Sequence, residues 1–460
     1  MTSETLLQTP SRRHELAGSG RVPAPGATLL AALFGFFLIT LDATVVTVAL
    51  PAIGGDLGGG LPGLQWVVDG YTLAFAALML STGALSDRIG AGRAYAVGIT
   101  LFTLASAACG LAPALSVLIG ARVLQGVAAA VLLPASLALV RQAYPDAARR
   151  ARAVSLWAAG GSVAVALGPV AGGALTSAWG WRGIFFINLP VGVTALILLT
   201  RTPRSEHRPS PLDVPGQLSA VVVLAGVTFA VIEGGAVGLA AAGVAALALV
   251  AFLFAESRHP HPVVPLSLFR NRTVSASMAA GAANSIAFYG LIFVLSLFFQ
   301  QVRGQSALSA GLMFLPMSAL IPVVNVFAGK LADRFGPRVP MLAGQLIAVA
   351  GVLLLLLLSP RTPALLVAPA LVPLAVGTAL TVPPLTASML EAVPADRAGL
   401  AAGVLNAGRQ VSGGLAVAVF GALVGGDSGF APGMRTSLLI SAGLLALSAL
   451  ATARLRPGRG

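Results

Sequence analysis

Two residues of opposite charge stand inside long apolar stretches of this sequence. Asp42 lies within the run 27–50, and Arg122 lies within the run 115–140. A charge at the centre of a bilayer costs about 2.5–3.5 kcal/mol on insertion scales, so such residues usually face a protein interior and serve a function. If the two runs are helices of opposite direction, rising ~1.5 Å per residue, the two side chains reach a similar depth and can pair.

A carboxyl group held out of water beside a guanidinium is suited to proton exchange, because burial and a neighbouring positive charge act on its proton affinity in opposite senses. We predict that Asp42 takes up and releases a proton and that Arg122 tunes its affinity. Gln125 lies one helical turn beyond Arg122, on the same face, and either hydrogen-bonds Asp42 or lines the path. The alternative is a static ion pair that only orients two helices.

Other polar and aromatic residues within apolar runs are candidates for substrate binding. Asp69 and Glu233 lie nearer the ends of their runs, where either can attract a cationic substrate. For Asp69 the alternatives are a proton role and a solvated interfacial carboxylate. Arg409, beside Asn406, either binds an anionic group or has a structural role. Phe288 and Tyr289 either line an apolar cavity or pack against neighbours and lipid.

Composition indicates which kind of protein positions these residues. Hydrophobic residues make up 57% of the 460 residues and charged residues only 9%, whereas an ordinary soluble domain is about 25% charged. That excludes a water-soluble globular enzyme. The formal net charge of +13 does not indicate nucleic acid binding, because the basic residues fall in short gaps between apolar runs. A single cysteine, Cys109, excludes an internal disulfide.

About 20 apolar residues are needed to cross the hydrocarbon as a helix. The sequence predicts fourteen such spans, and the region 216–255 forms either two of them or one re-entrant hairpin. Lys and Arg are concentrated in the gaps on one side, so both termini are predicted to be cytoplasmic. The predicted spans are 27–50, 64–86, 94–113, 115–140, 153–177, 184–200, 216–235, 238–255, 274–301, 308–329, 339–358, 364–390, 399–424 and 434–453.

An eight-residue pattern occurs twice, each time in a short gap after an even-numbered span. The five matching positions are Gly83, Leu85, Asp87, Arg88 and Gly90 in the first copy, which Arg93 follows, and Gly329, Leu331, Asp333, Arg334 and Gly336 in the second. Many transporters are built from internal repeats. We interpret the glycines as allowing close helix approach and the Asp–Arg pairs as latching the cytoplasmic face.

Further stretches match a known family. They are Leu41–Pro51, Leu118–Gly126, Trp181–Gly192 and the segment containing Gly168, Pro169, Gly172 and Gly173. Together with the repeat, they make the sequence similar to the major facilitator superfamily, and more narrowly to its fourteen-span drug:proton antiporters. Thr47 stands where that family has Asn. Pro169 is expected to bend its helix, because proline removes a helix hydrogen bond.

The resemblance implies an all-α polytopic membrane protein with two six-helix bundles and two extra helices. The implied units are a tail 1–26, a bundle 27–201, a linker 202–273 with the extra pair, a bundle 274–453 and a tail 454–460. It further implies a monomer in the cytoplasmic membrane that exports amphiphilic drugs or antibiotics in exchange for protons, with no cofactor or metal. The alternatives are an importer or facilitator and a non-transporting sensor.

Overall fold

The computed structural model describes residues 25–202, 213–259, 262, 264–394, 397–426 and 429–455, without the side chains of Leu80, Ala84 and Asp87. Residues 1–24 of the predicted N-terminal tail and 456–460 of the C-terminal tail lie outside this range. Within it the chain forms fourteen helical segments, which we number α1 to α14. A short 3₁₀ helix, Leu266–Arg270, precedes α9.

The segments are α1 (Pro25–Leu57), α2 (Gly60–Ile89), α3 (Ala91–Gly110), α4 (Leu115–Ala143), α5 (Ala147–Trp179), α6 (Gly183–Leu199), α7 (Val214–Glu233), α8 (Gly235–Arg258), α9 (Arg272–Val302), α10 (Ala307–Phe335), α11 (Arg338–Leu355), α12 (Ala364–Glu391), α13 (Ala398–Gly425) and α14 (Phe430–Ala453). Two stretches of α9, Ile286–Gly290 and Phe298–Val302, are wound as π-helix. Such turns are frequent at functional sites.

Twelve of these described segments, rather than the predicted fourteen, are long and apolar enough to cross a membrane. The exceptions are α2 and α6. Helix α2 has 30 residues but carries Gln65, Asp69 and Arg88, which lower its apolar character. Segment α6 has only 17 residues and is interrupted at Ile187 between two shorter helices. The region 216–255 forms two separate helices, α7 and α8.

The helices pack into two groups. Segments α1 to α6 contact one another, as do α9 to α14. The two groups, here called the N-half and the C-half, meet mainly through three helix pairs: α1 with α9, α2 with α13, and α5 with α10; α1 also makes a smaller contact with the start of α10. Helices α7 and α8 pack on each other, and α7 touches both α2 and α13. The extra pair therefore lies across one of the three seams between the halves.

Small residues allow the helices of the N-half to approach closely. A Cβ added at Gly126 of α4 would lie 2.3 Å from the carbonyl oxygen of Tyr71 on α2. At Gly172 of α5 it would lie 2.6 Å from the carbonyl oxygen of Val45 on α1. Gly and Ala are common at membrane helix contacts for this reason, since there is no hydrophobic driving force between helices in lipid.

Candidate functional site

A buried polar cluster lies where α1, α3, α4 and α6 meet. Its members are Asp42, Ser106, Arg122, Gln125 and Asn188, all at most 1% exposed. Arg122 forms a salt bridge with Asp42 Oδ2. Gln125 Nε2 and Asn188 Nδ2 each donate to Asp42 Oδ1 at 3.0 Å. The structure thus brings together the pair that the sequence predicted, with Gln125 beside it.

The cluster is closed by bonds among its own members. Arg122 Nη1 donates to Gln125 Oε1 at 2.9 Å, and Asn188 Nδ2 also donates to Ser106 Oγ at 2.9 Å. Arg122 Nε donates to the carbonyl oxygen of Val67 on α2 at 3.0 Å. Such bonds are needed because an ion pair in a low-dielectric interior is stable only when its remaining polar atoms are satisfied.

Aromatic rings surround the guanidinium. The Arg122 Cζ atom lies 4.3 Å from the centre of the Tyr71 ring and 5.9 Å from that of Phe185. A cation over a ring face is attracted by the ring quadrupole, more strongly where water is excluded. Tyr71 is itself fixed, since its hydroxyl donates to the carbonyl oxygen of Ile39 at 3.0 Å. The cluster is therefore closed to solvent and held by hydrogen bonds in this conformation.

Sequence reasoning did not select Asn188, Ser106 or Tyr71 as site residues. Asn188 was noted only as part of a motif at the start of the sixth run. The signal that would have found it is a strong hydrogen-bonding amide followed directly by an apolar run, because a polar group within a membrane is costly unless it has a partner. Ser106 and Tyr71 gave no comparable signal, since both residue types are common in membrane helices.

A central cavity lies between the two halves, and Asp42 is not among the residues that line it. It has a volume of about 360 Å³, at the lower end of ordinary ligand pockets. Phe36 and Trp157 stack at one side, with ring centres 4.2 Å apart. Phe288, Tyr289, Asn406 and Arg409 all line it, as do Thr40, Phe75, Asn284, Asn325 and Gln410. Four predicted binding candidates thus meet in one place.

Asp69 occupies a different position, on the face of α2 that meets α13. It is fully buried, and both of its carboxylate oxygens lack a hydrogen-bond partner. Its Oδ1 lies 3.1 Å from where a Cβ would stand at Gly414. Tyr289 lines the central cavity and also lines a small pocket of about 30 Å³, to which Thr72 and Gly414 of the α2–α13 seam contribute as well. Of the alternatives for Asp69, the solvated interfacial carboxylate is therefore wrong.

Glu233 does not take part in the cavity. It is exposed at the end of α7, where its Oε1 accepts a hydrogen bond from Trp66 Nε1 at 3.2 Å. Trp66 and Phe229 also contact each other, with ring centres 6.0 Å apart. Glu233 therefore helps to hold α7 against α2.

One end of the seam region is closed by polar contacts between the halves. We call the ends at Leu57, Gly60 and Gly425 the outer ends. There Gln65 Nε2 donates to the carbonyl oxygens of Val417 and Ala418, at 3.2 and 2.6 Å. Ser296 Oγ donates to the Thr47 carbonyl at 3.1 Å, and Gln300 Nε2 donates to the Val48 carbonyl at 2.9 Å. The cavity lies on the opposite side of these contacts.

The glycine motif of α5 forms the third seam. A Cβ at Gly168 would lie 1.9 Å from Thr44 Oγ1, and one at Gly173 would lie 2.4 Å from the Ala307 carbonyl oxygen on α10. Gly311 of α10 faces the carbonyl oxygen of Pro169 in the same way, at 2.4 Å. The helix continues through Pro169 from Ala147 to Trp179. The bend at Pro169 stays a prediction, and the motif permits close approach to both α1 and α10.

The repeated loops lie at the ends opposite the outer ends. Gly90 and Gly336 have φ angles of 88° and 75°, which L-residues with a side chain rarely adopt. At the first glycines, Gly83 and Gly329, no atom of the described part of the chain lies within 4 Å of an added Cβ. Our interpretation of these two as close-approach residues is therefore wrong, and the second glycine of each copy explains the pattern through the turn.

The charged residues of these loops are accessible. Arg88, Arg93, Asp333 and Arg334 are exposed, while the Asp87 side chain lies outside the described part. Arg334 rests on the Phe335 ring, with its Cζ atom 5.3 Å from the ring centre. The latch between Asp and Arg stays a prediction.

Three features together define a membrane transporter rather than an enzyme. One half holds a buried ion-pair network, a cavity lies between two six-helix groups, and the described spans contain few charges. The family model of the Major Facilitator Superfamily matches residues 32–417. The chain belongs to this superfamily and is a multi-pass membrane protein.

Similar proteins include the multidrug resistance protein Stp of Mycobacterium tuberculosis, which is 40% identical over 86% of this chain and 75% of that protein. The methylenomycin A resistance protein of Streptomyces coelicolor is 37% identical, over 92% of this chain and 91% of that protein. Among solved structures, an inward-facing bacterial homologue of the lysosomal transporter Spinster superposes with a TM-score of 0.67 at 19% identity, covering 93% and 96% of the two chains. These relatives confirm the resemblance to drug and antibiotic efflux proteins.

Proposed function

We propose that the protein exports amphiphilic drugs or antibiotics in exchange for protons by alternating access. The observation that carries this proposal is that the structure holds two separate sites. A buried cluster around Asp42 lies within the N-half and is suited to proton exchange. A cavity with an aromatic and amide lining lies between the halves and is suited to a substrate. A transporter that couples two solutes needs a group for each, near the middle of the membrane.

The conformation fits one state of such a cycle. The seams are closed at the outer ends, while the cavity lies toward the ends that carry the two repeated loops. With the termini on the cytoplasmic side, as the distribution of Lys and Arg favours, this is an inward-facing state. We also propose that α2 and α6 cross the membrane, because both pack against other helices of the N-half. That makes fourteen spans, with α7 and α8 as the extra pair.

The proposal predicts the direction and the driving force of transport. In everted membrane vesicles, acidifying the lumen should drive uptake of a fluorescent amphiphile, and a protonophore should release it. A lumen one pH unit more acidic supplies enough free energy for about tenfold accumulation per proton exchanged. Vesicles without the protein are the control. Uptake that follows the substrate gradient alone would indicate a facilitator, and acid-driven loss of substrate from the lumen would indicate an importer.

Asp69 is proposed as a second proton-binding group, at the seam itself. An isolated carboxylate is costly to bury, so a carboxyl group without a partner is best accommodated with its proton. Opening the α2–α13 seam would expose it to water, where it can lose that proton. Asp69 and Tyr289 would thus connect proton release to changes at the cavity wall.

We expect Asp69→Asn to keep the closed seam and to lose part of the response to pH. The amide copies the size of the neutral acid but cannot ionise. Substrate counterflow in proteoliposomes, measured over a series of pH values, should depend on pH in the parent protein and should be nearly independent of pH in this variant. Glu233→Gln is the control, because Glu233 is an exposed carboxylate on the same side. An unchanged pH profile in Asp69→Asn would rule out the proton role.

A further inference from the structure

The described lining of the central cavity carries positive charge and no negative charge. Among the described residues that line it, Arg409 is charged and none is acidic. The two carboxylates of the N-half that are buried in the described part of the chain are elsewhere: Asp42 is bound to Arg122, and Asp69 faces Gly414 at the seam. A cavity of this kind favours anions over cations.

The guanidinium of Arg409 has unused hydrogen-bonding capacity. Its Nε atom is buried without a hydrogen-bond partner, and no carboxylate in the described part of the chain lies within 4 Å of it. The aliphatic stem rests near Gly281 of α9, where an added Cβ would lie 3.2 Å from Arg409 Cγ. Close packing of the stem therefore holds the head toward the cavity.

Arg409 is partly buried, and a charge withdrawn from water without a counterion is unfavourable, so an anion that binds it relieves this cost. Guanidinium groups bind carboxylate and similar oxygen anions through paired, charge-assisted hydrogen bonds. The rest of the cavity suits an amphiphile: Phe36 and Trp157 offer an aromatic wall, while Asn406 and Gln410, on the same helix as Arg409, offer amides near the charge.

We infer that the substrates of this transporter are amphiphiles with an acidic group, bound as anions through Arg409 with their apolar body against Phe36 and Trp157. This inference rests on the proposed transport function and specifies its substrate class. It replaces the expectation that Asp69 and Glu233 recruit a cationic substrate, since neither lines the cavity. When a monoanion leaves the cell and a proton enters, the exchange is equivalent to two positive charges moving inward. The membrane potential therefore assists this export.

Binding of three probes with one apolar body tests the inference. They are 1-pyrenebutyrate, 1-pyrenebutyramide and protonated 1-pyrenebutylamine, titrated onto the purified full chain by pyrene fluorescence. We expect the carboxylate to bind at least about tenfold more tightly than the amide, which corresponds to about 1.4 kcal/mol, and the ammonium to bind most weakly. Arg409→Gln should remove the preference, and Arg409→Lys should retain part of it. Arg435→Gln, an exposed arginine of α14, is the matched control.

The outcomes separate this inference from the proposed function. Equal binding of the three probes, tighter binding of the ammonium, failure of all three to bind, or a preference that survives Arg409→Gln would overturn the acidic substrate class. In everted vesicles, acid-driven uptake of the amide or ammonium probe without uptake of the carboxylate would do the same, while supporting the antiporter. Absence of acid-driven uptake for every probe, combined with selective carboxylate binding, would contradict the antiporter and leave the anion site standing.

Discussion

Replacing Asp42 with Asn should abolish accumulation driven by a pH gradient while leaving exchange of substrate intact. In everted vesicles with an acid lumen and the membrane potential clamped, the parent protein should reach about tenfold accumulation per pH unit and proton exchanged, and Asp42→Asn should reach a ratio near one. The reason is that the amide keeps the hydrogen bonds to Gln125 and Asn188 but cannot carry a proton. Substrate counterflow, which needs no coupling, shows that the variant folds and moves substrate.

Two further variants sharpen this test. Asp42→Glu retains a carboxyl group and should retain part of the accumulation. Asp56→Asn alters a carboxylate of the same helix that is about half exposed and is paired with Arg182 at 2.5 Å. Since exposed ion pairs contribute little, this control should accumulate substrate like the parent. Acid-driven accumulation that persists in Asp42→Asn would show that the Asp42–Arg122 pair only orients α1 and α4.

Gly311→Leu should hold the transporter away from the state seen here and reduce transport at least about tenfold. A Cβ at this position would lie 2.4 Å from the Pro169 carbonyl oxygen and 3.4 Å from Gly173 Cα, so α5 and α10 cannot close at the outer ends. Because a difference of about 5.5 kcal/mol takes a two-state equilibrium from 1:99 to 99:1, strain of a few kcal/mol is enough to change the populated state.

Reaction of a buried seam position with an impermeant thiol reagent measures this shift in intact cells. In a Cys109→Ser background, Ser296→Cys places a thiol where the parent side chain is fully buried beside Thr47. Gly311→Leu should raise its labelling rate at least tenfold. Gly443→Leu is the control, because nothing lies within 4 Å of an added Cβ there. An unchanged rate, with normal transport, would mean that the α5–α10 contact does not open during the cycle.

The sequence was sufficient for the fold and for one ion pair. Depth along two apolar runs predicted that Asp42 and Arg122 can meet, because helix rise and membrane thickness are fixed quantities. The same reasoning was insufficient for Asp69. Its distance from the end of a run suggested an interfacial, solvated group, but burial depends on the neighbouring helix, and the seam with Gly413 and Gly414 is a tertiary feature with no local signal.

The cavity was only partly predictable for a related reason. Phe288, Tyr289, Asn406 and Arg409 were selected one by one, as unusual residues in apolar runs, and they do meet. Their partners Phe36 and Trp157 come from α1 and α5, and nothing in either run distinguishes a ring that faces a cavity from one that faces lipid. Of the fourteen predicted spans, those at α2 and α6 fall short of the length and apolar character that a span needs, because polar residues in α2 and an interruption in α6 reduce it.

Helix α7 has a consequence for how a compound reaches the cavity from the bilayer. It is joined to α2 by Trp66–Glu233 and, further along, by Gln217, which donates to the Ala77 carbonyl, and it also touches α13. On that flank, lipid tails meet the extra pair instead of the gap between the halves. A molecule dissolved in the inner leaflet is therefore expected to enter on the opposite flank, between α5 and α10, so that uptake from lipid is one-sided even though the scaffold is pseudo-symmetric.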